Sequence, residues 1–151
     1  MKSTELLRHR LAQAGAWLFA IGLLTGFWAA MALTDRVALR VPRLALAAHL
    51  NGLLGGLWLI AVASTLDRMR HGIAGRRRLA VAAALPAWAN WLLTVIASVL
   101  GVRGLELTAD TANNVVALLL QVFVVWPALG AALTWAWGFG GPRHEPGQLP
   151  H

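Results

Sequence analysis

The sequence predicts an all-α membrane protein, a bundle of four transmembrane helices, and three observations support this class. First, 58% of the 151 residues are hydrophobic and only 13% are charged, and the mean hydropathy is +0.63. Second, four stretches carry no charged residue, and each reaches the roughly 20 residues that a helix needs to cross the hydrocarbon core. Third, the basic residues all lie outside these stretches, in the segments that flank and connect them. We therefore expect an integral membrane protein without a soluble domain.

The four charge-free stretches give the predicted helices, which together form one transmembrane domain over residues 1–139. The first stretch is too long for the core of a signal peptide, so we expect it to be retained. The tail is rich in Gly and Pro and is predicted to be disordered. The predicted boundaries are 11–33, 44–66, 79–102 and 111–139 for the helices and 140–151 for the tail.

The charge distribution predicts the orientation. Nine of the 13 Lys and Arg residues lie in the N-terminal segment, the connection between the second and third helices, and the tail. The positive-inside rule then places both termini in the cytoplasm, in a multi-pass protein of the cell inner membrane. Topology thus accounts for the net charge of +7, and without a basic face or binding motif we expect no nucleic acid partner. The absence of Cys excludes disulfides, thiolate nucleophiles and iron–sulfur clusters.

His49 is the only one of five histidines that lies inside an apolar stretch. A polar ring in hydrocarbon costs several kcal/mol unless it finds a partner or binds a ligand. Ala45, Gly52 and Gly56 share its helix face, which would leave room for a flat ligand. Two simpler interpretations stay open at this point: a histidine that donates to a carbonyl one turn away, and a Gly52–Gly56 pair that serves only helix packing.

Polar residues in the third and fourth helices are predicted to form a layer near the depth of His49. Asn90, Thr94 and Ser98 recur at every fourth position and form one stripe. Asn90 is the most informative of them, because its amide has four hydrogen-bonding positions to satisfy. Gln121 in the fourth helix is expected at a depth comparable with His49 and Thr94.

Two further features of the fourth helix can be predicted. Thr108 or Asp110 is a plausible N-cap, and Pro127 and Gly130 are expected to kink the helix.

The residue types limit the chemistry. Every Asp and Glu lies outside the predicted helices, so carboxylate acid–base catalysis inside the bundle is not expected. A lone imidazole suits the axial ligand of a haem, whose iron would act as a Lewis acid while Asn90 or Gln121 orients the substrate. Arginines at the membrane edge could pair with the propionates, although their default role is to mark the interface: Arg40, Arg43 and Arg103.

Three segments resemble those of hydroxylaminobenzene mutases and, more distantly, styrene oxide isomerases. They are LAQAGAWLFAIGLLTGF (11–27), LALAAHLNGLLGGLWLIAVA (44–63) and WANWLLTVIASVLG (88–101). The resemblance covers nearly the whole membrane region. Its most specific markers are the Ala-His pair near the start of the second helix and Trp-Ala-Asn in the third.

This resemblance implies a function. Styrene oxide isomerases are homotrimers that hold ferric haem b between subunits, with the second-helix histidine on iron, and they rearrange an epoxide to an aldehyde. Hydroxylaminobenzene mutases convert an arylhydroxylamine to an aminophenol. We therefore predict a haem-dependent isomerase of the mutase type, acting on a small aromatic substrate in a homotrimer. The predicted alternatives are an epoxide isomerase and, from other classes, a small-solute transporter or a haem electron carrier.

The implied site uses His49 as the iron ligand. The further predicted residues are Gly52, Arg43 and Arg103 for the cofactor and Asn90, Thr94 and Gln121 for catalysis. The chain departs from the family at two points: Gly55 stands where an asparagine is expected six residues after the histidine, and Thr94 stands where the epoxide isomerases have a tyrosine. Asn51 projects roughly 160° from His49 around the helix, and is therefore expected to face another helix or subunit.

Overall fold

A computed structural model of the protein describes residues 2–140, and their side chains from residue 3 onward. The predicted disordered tail lies outside the described residues from position 141 on. Within residues 2–140 the chain is helical and contains no strand. The helices are α1 Lys2–Leu33, α2 Pro42–Thr65, α3 Ile73–Leu100, α4 Thr111–Leu120 and α5 Trp126–Trp137; a 3₁₀ turn Leu66–Arg68 follows α2, and a π turn Gln121–Val125 joins α4 to α5.

The prediction of an all-helical chain with four long apolar helices is confirmed. By length and composition the segments able to cross a membrane are Ser3–Leu33, Pro42–Arg68, Ile73–Leu100 and Thr111–Trp137. Three helices begin earlier than predicted: at Lys2 rather than residue 11, at Pro42 rather than residue 44, and at Ile73 rather than residue 79. The predicted boundaries followed the charged residues, because charge marks the edge of the hydrocarbon. A helix can continue past that edge, since its backbone bonds remain satisfied in water as well.

The closest helix contact is between α1 and α2. A Cβ added at Gly15 would lie 2.8 Å from the Gly56 carbonyl oxygen, and one added at Gly22 would lie 2.8 Å from the carbonyl carbon of Gly52. Backbones that approach this closely require small residues on both helices, which is how helices associate where lipid is as apolar as protein. The larger core residues Leu18 and Leu59 lie between these helices and are fully buried.

The fourth span, α4 with the π turn and α5, packs mainly against α3. It is also the least buried span: 17% of its most apolar stretch is buried, compared with 39% for α3. The predicted N-cap Asp110 is confirmed: its Oδ1 accepts from the N–H groups of Ala112 at 2.8 Å and Asn113 at 3.4 Å. Most of this span therefore faces away from the rest of the chain.

The π turn explains how Pro127 is accommodated. Proline has no N–H to donate, and its ring clashes with the carbonyl four residues earlier, here that of Phe123. The chain widens at this point, and the Trp126 N–H donates to the Gln121 carbonyl five residues before it. The irregular segment therefore begins at Gln121 itself, slightly before the predicted kink around Pro127 and Gly130.

Candidate functional site

His49 lies on the face of α2 that contacts α1. Its Nδ1 is 2.7 Å from the carbonyl oxygen of Gly22, and because a carbonyl only accepts, Nδ1 carries the proton and donates it. The remaining ring nitrogen, Nε2, then holds the lone pair. The ring also lies against Gly26, where an added Cβ would come within 2.9 Å of both Nδ1 and Cε1. Two glycines of α1 thus fix the tautomer and the position of the ring.

This geometry would suit a histidine that holds a haem iron. Histidines that bind metals commonly donate their second N–H to a carbonyl or carboxylate, which orients the ring and leaves the other nitrogen as the ligand atom. In His49, Nε2 makes no hydrogen bond to any group among residues 3–140, and the side chain is only partly buried. The described chain contains no group of three or more His, Cys, Asp or Glu able to hold a bare ion. A single imidazole would suffice to hold haem, because the porphyrin nitrogens already bind its iron.

The expectation of open space beside His49 over Gly52 and Gly56 is wrong for the single chain. Both glycines are buried, and a Cβ at Gly52 would lie 2.6 Å from the Gly22 Cα. The backbone of α1 fills this face, because its own glycines let it approach that closely. Gly52 and Gly56 therefore serve helix packing. The prediction that Gly52 contacts a cofactor stays a prediction, and this packing disfavours it.

A polar network lies on the opposite face of α2, toward α3. The Asn51 amide nitrogen, Nδ2, donates to Asn90 Oδ1 at 3.2 Å and to Thr94 Oγ1 at 2.9 Å. The Thr94 hydroxyl in turn donates to the backbone carbonyl of Asn90 at 2.6 Å. The expectation that Asn51 faces another helix is confirmed, and that helix carries the predicted polar stripe.

A second polar connection runs from α3 to α1. Trp91 Nε1 donates to Thr25 Oγ1 at 3.1 Å, and the Thr25 hydroxyl donates to the Ile21 carbonyl at 2.8 Å. The indole also lies against Gly52, since a Cβ there would be 3.1 Å from Trp91 Cδ1. Sequence reasoning missed Thr25 and Trp91 here. The available signal was that a threonine and an indole in an apolar bundle both need partners.

The structure does not bring Gln121 into this network. Its side chain is exposed at the start of the π turn. Asn113 and Asn114 lie in the first turn of α4 and fix the loop before it, since the Gly104 N–H donates to Asn113 Oδ1 and the Thr108 N–H to Asn114 Oδ1, both at 2.8 Å. Ser98 extends the stripe as a fully buried residue whose hydroxyl has no hydrogen-bond partner among the described residues.

The predicted propionate partners lie at the end of the bundle that carries the loops 34–41 and 101–110. Arg43 and Arg103 are exposed, and the Arg40 side chain lies against Gly101, where an added Cβ would meet its Cδ at 2.7 Å. Within residues 3–140 the ion pair that forms is Arg8–Asp67 at 3.3 Å. These three guanidinium groups are therefore not neutralised by a carboxylate of the described chain.

The fold and site together define the class of protein: a small multi-pass membrane protein with an imidazole on the α1 face of α2 and an amide–hydroxyl network on the opposite face. The family model of styrene oxide isomerase matches residues 7–139, and the chain belongs to this family of isomerases. It is also 36% identical over 98 residues to hydroxylaminobenzene mutase HabB of Ectopseudomonas oleovorans. That match covers 65% of this chain and 56% of the relative, so the chain spans about half the length of the relative it matches. No solved structure matches the chain.

Proposed function

We propose that the protein is a haem-dependent isomerase of the hydroxylaminobenzene mutase type, which converts an arylhydroxylamine to an aminophenol. The observation that carries the proposal is His49, whose Nδ1 proton is committed to the Gly22 carbonyl at 2.7 Å while Nε2 is unbonded. The family match over residues 7–139 and the mutase relative support the reaction class.

His49 would hold the iron through Nε2. The exposed guanidinium groups of Arg43, in the first turn of α2, and of Arg103, in the loop 101–110, are suited to the propionates, because they lie at the same end of the bundle and lack a carboxylate partner among residues 3–140. When bound, haem iron supplies a Lewis acid that can weaken the N–O bond of the substrate. All other contributions come from the protein's own side chains.

Asn90 orients the substrate in this proposal. Its Oδ1 is held by Asn51, so its amide N–H groups are directed elsewhere and can donate to a substrate oxygen. The reaction breaks one N–O bond, forms one C–O bond to the ring and exchanges a ring hydrogen for one on nitrogen, without net oxidation. The apolar surroundings of α2 and α3 exclude water, which would otherwise compete as a nucleophile for the activated substrate.

The proposal includes a homotrimer in the inner membrane with cytoplasmic termini. The basic residues support that orientation through the positive-inside rule. In one chain His49 and the Asn51–Asn90 pair lie on opposite faces of α2, and all three side chains are partly exposed. This arrangement supports a site between two copies, with His49 from one copy and Asn90 from the next. The weakly buried fourth span offers the surface for such a contact.

Epoxide isomerisation is the second candidate. It is favoured by one observation, the family model of styrene oxide isomerase. It uses the same Lewis acid and the same Asn90 donor, but Thr94 offers no phenol at the position where those enzymes are expected to have one.

The test is an absorption spectrum of the detergent-purified protein, followed by product analysis with N-phenylhydroxylamine and with styrene oxide. We expect a Soret band that His49→Ala removes, because it deletes the proposed iron ligand. The matched control, His9→Ala, changes an exposed histidine at the far end of α1 and should keep the band. Haem binding that survives His49→Ala unchanged would refute the ligand assignment, and a haem protein active on neither substrate would refute the reaction.

A further inference from the structure

The Asn51 amide has an orientation that hydrogen-bond counting determines. A threonine hydroxyl has one proton, and that of Thr94 is used on the Asn90 carbonyl at 2.6 Å. Toward Asn51, Thr94 Oγ1 can therefore only accept, so the group 2.9 Å away must be the Asn51 nitrogen. The second hydrogen of that nitrogen is donated to Asn90 at 3.2 Å. The Asn90 amide must therefore turn its oxygen toward Asn51.

Two polar atoms of this network are left without partners. They are Asn51 Oδ1, which accepts, and Asn90 Nδ2, which donates, and neither forms a hydrogen bond within residues 3–140. Both atoms are accessible at the surface of the chain. The unpaired side-chain atoms that are fully enclosed belong instead to Arg70, Arg76 and Ser98. The single chain therefore presents one free acceptor and one free donor, fixed relative to each other, at an accessible surface of the membrane region.

We infer that Asn51 is a specificity-determining residue, which gives the site a preference for a ligand that carries an acceptor oxygen and a hydrogen-bond donor next to it. An arylhydroxylamine has both, since its N–OH group accepts from Asn90 Nδ2 and donates to Asn51 Oδ1. An aryl epoxide has only the acceptor and leaves Asn51 Oδ1 unpaired. This inference rests on the proposed function, because it assigns the substrate of the same site.

The physical basis is the cost of an unmatched polar group. A site built to hydrogen-bond a substrate O–H or N–H discriminates against an analogue that lacks it, because the polar group of the protein loses its partner when the site closes. In the proposed site neither the histidine nor Thr94 provides this discrimination. His49 Nδ1 donates to Gly22 and Nε2 is assigned to the iron, while the Thr94 proton is donated to the Asn90 carbonyl.

The test compares two ligands, N-phenylhydroxylamine and styrene oxide, in the purified full-length protein and in Asn51→Leu. The dissociation constants are followed by the change in intrinsic tryptophan fluorescence, to which Trp91 and the other seven tryptophans contribute, and kcat/KM is measured wherever turnover occurs. We expect the preference for the hydroxylamine over the epoxide to fall about tenfold or more in Asn51→Leu, the effect of one lost hydrogen bond. An equal change for both ligands would show a merely structural role and overturn the inference.

Asn51→Asp serves as the second variant. It keeps an acceptor oxygen but loses the donor to Asn90 and Thr94, so affinity for both ligands should decline while the preference for the hydroxylamine stays larger than in Asn51→Leu. A lost preference in Asn51→Asp would contradict the acceptor role of Oδ1. Thr94→Val, which removes a partner of Asn51 but neither free atom, should weaken both ligands alike.

The binding measurement keeps this inference separate from the proposed function. Absence of haem or of turnover would refute the proposed function, whereas the ratio of the two dissociation constants would still report the role of Asn51.

Discussion

The two faces of α2 hold their neighbours by different means. Toward α1 the helix presents Gly52 and Gly56 and meets backbone directly, with an added Cβ at Gly56 only 2.7 Å from the Gly15 carbonyl oxygen. Toward α3 it presents Asn51, which reaches its partners through side-chain hydrogen bonds of 2.9 and 3.2 Å. His49 belongs to the first face and Asn51 to the second, although they are two positions apart.

This difference indicates separate roles for the two faces of α2: the α1 face is rigid, and the α3 face is suited to recognising a ligand. Backbone contact cannot adjust to added volume, so the α1 face fixes where the His49 ring lies. Side-chain hydrogen bonds in a bundle contribute little stability individually, about 0.6 kcal/mol on average. The α3 face therefore contributes chiefly the orientation of amides. We expect stability and ligand-atom placement to depend on the α1 face, and substrate selection to depend on the α3 face.

The largest effect, a loss of stability, is expected from Gly22→Leu. Its side chain would begin 2.8 Å from the Gly52 carbonyl carbon and the Leu53 nitrogen, so α1 and α2 must separate at a cost of about 3 kcal/mol or more. Thermal unfolding in detergent, followed by circular dichroism, checks this. The control is Gly130→Leu, at a position with nothing within 4 Å; equal melting temperatures for the two variants would mean that the α1 face is not rigid.

An intermediate effect is expected from Gly26→Ala. The added methyl lies 2.9 Å from His49 Nδ1 and Cε1, so the ring must move and its bond to the Gly22 carbonyl weakens. Loss of such an orienting bond lowers metal affinity by about 10–100-fold, which a haem titration followed at the Soret band would measure. Gly130→Ala is the matched control. Unchanged haem affinity in Gly26→Ala would show that α1 does not position the ligand.

The smallest effect is expected from Trp91→Phe. It removes the hydrogen bond from Trp91 to Thr25. No donor is left unpaired, since the Thr25 hydroxyl still donates to the Ile21 carbonyl. The expected loss of stability is about 0.6–1.7 kcal/mol, measured by the same unfolding experiment. Trp17→Phe, at an indole that is 61% exposed, is the comparison. A loss as large as that of Gly22→Leu would mean that polar contacts, rather than close backbone packing, dominate the bundle.

Much of the site could be predicted from single positions and their spacing. The apolar stretches predicted four helices, and the isolated imidazole pointed to His49. The four-residue spacing of Asn90 and Thr94 placed both on one face, where the structure has them joined by Asn51. The expected membership of the isomerase family is confirmed by the match over residues 7–139.

Other features could not be predicted because they depend on which helices meet. The glycine face of α2 is open when the helix is considered alone, and only the glycines of α1 close it. Gln121 was predicted at the depth of the polar layer, but its side chain lies on an exposed part of the fourth span, since that span packs mainly on α3.

The sequence by itself determined the membrane class, the four apolar helices and the lone histidine, because hydrophobic length and residue spacing are local properties of the chain. Only the tertiary structure decided which nitrogen of His49 carries the proton and which atom of the Asn51 amide faces Asn90. Both depend on the rotation of each helix about its axis against its neighbours. That rotation is set by contacts between residues far apart in the chain, Gly22 with His49 and Asn51 with Thr94.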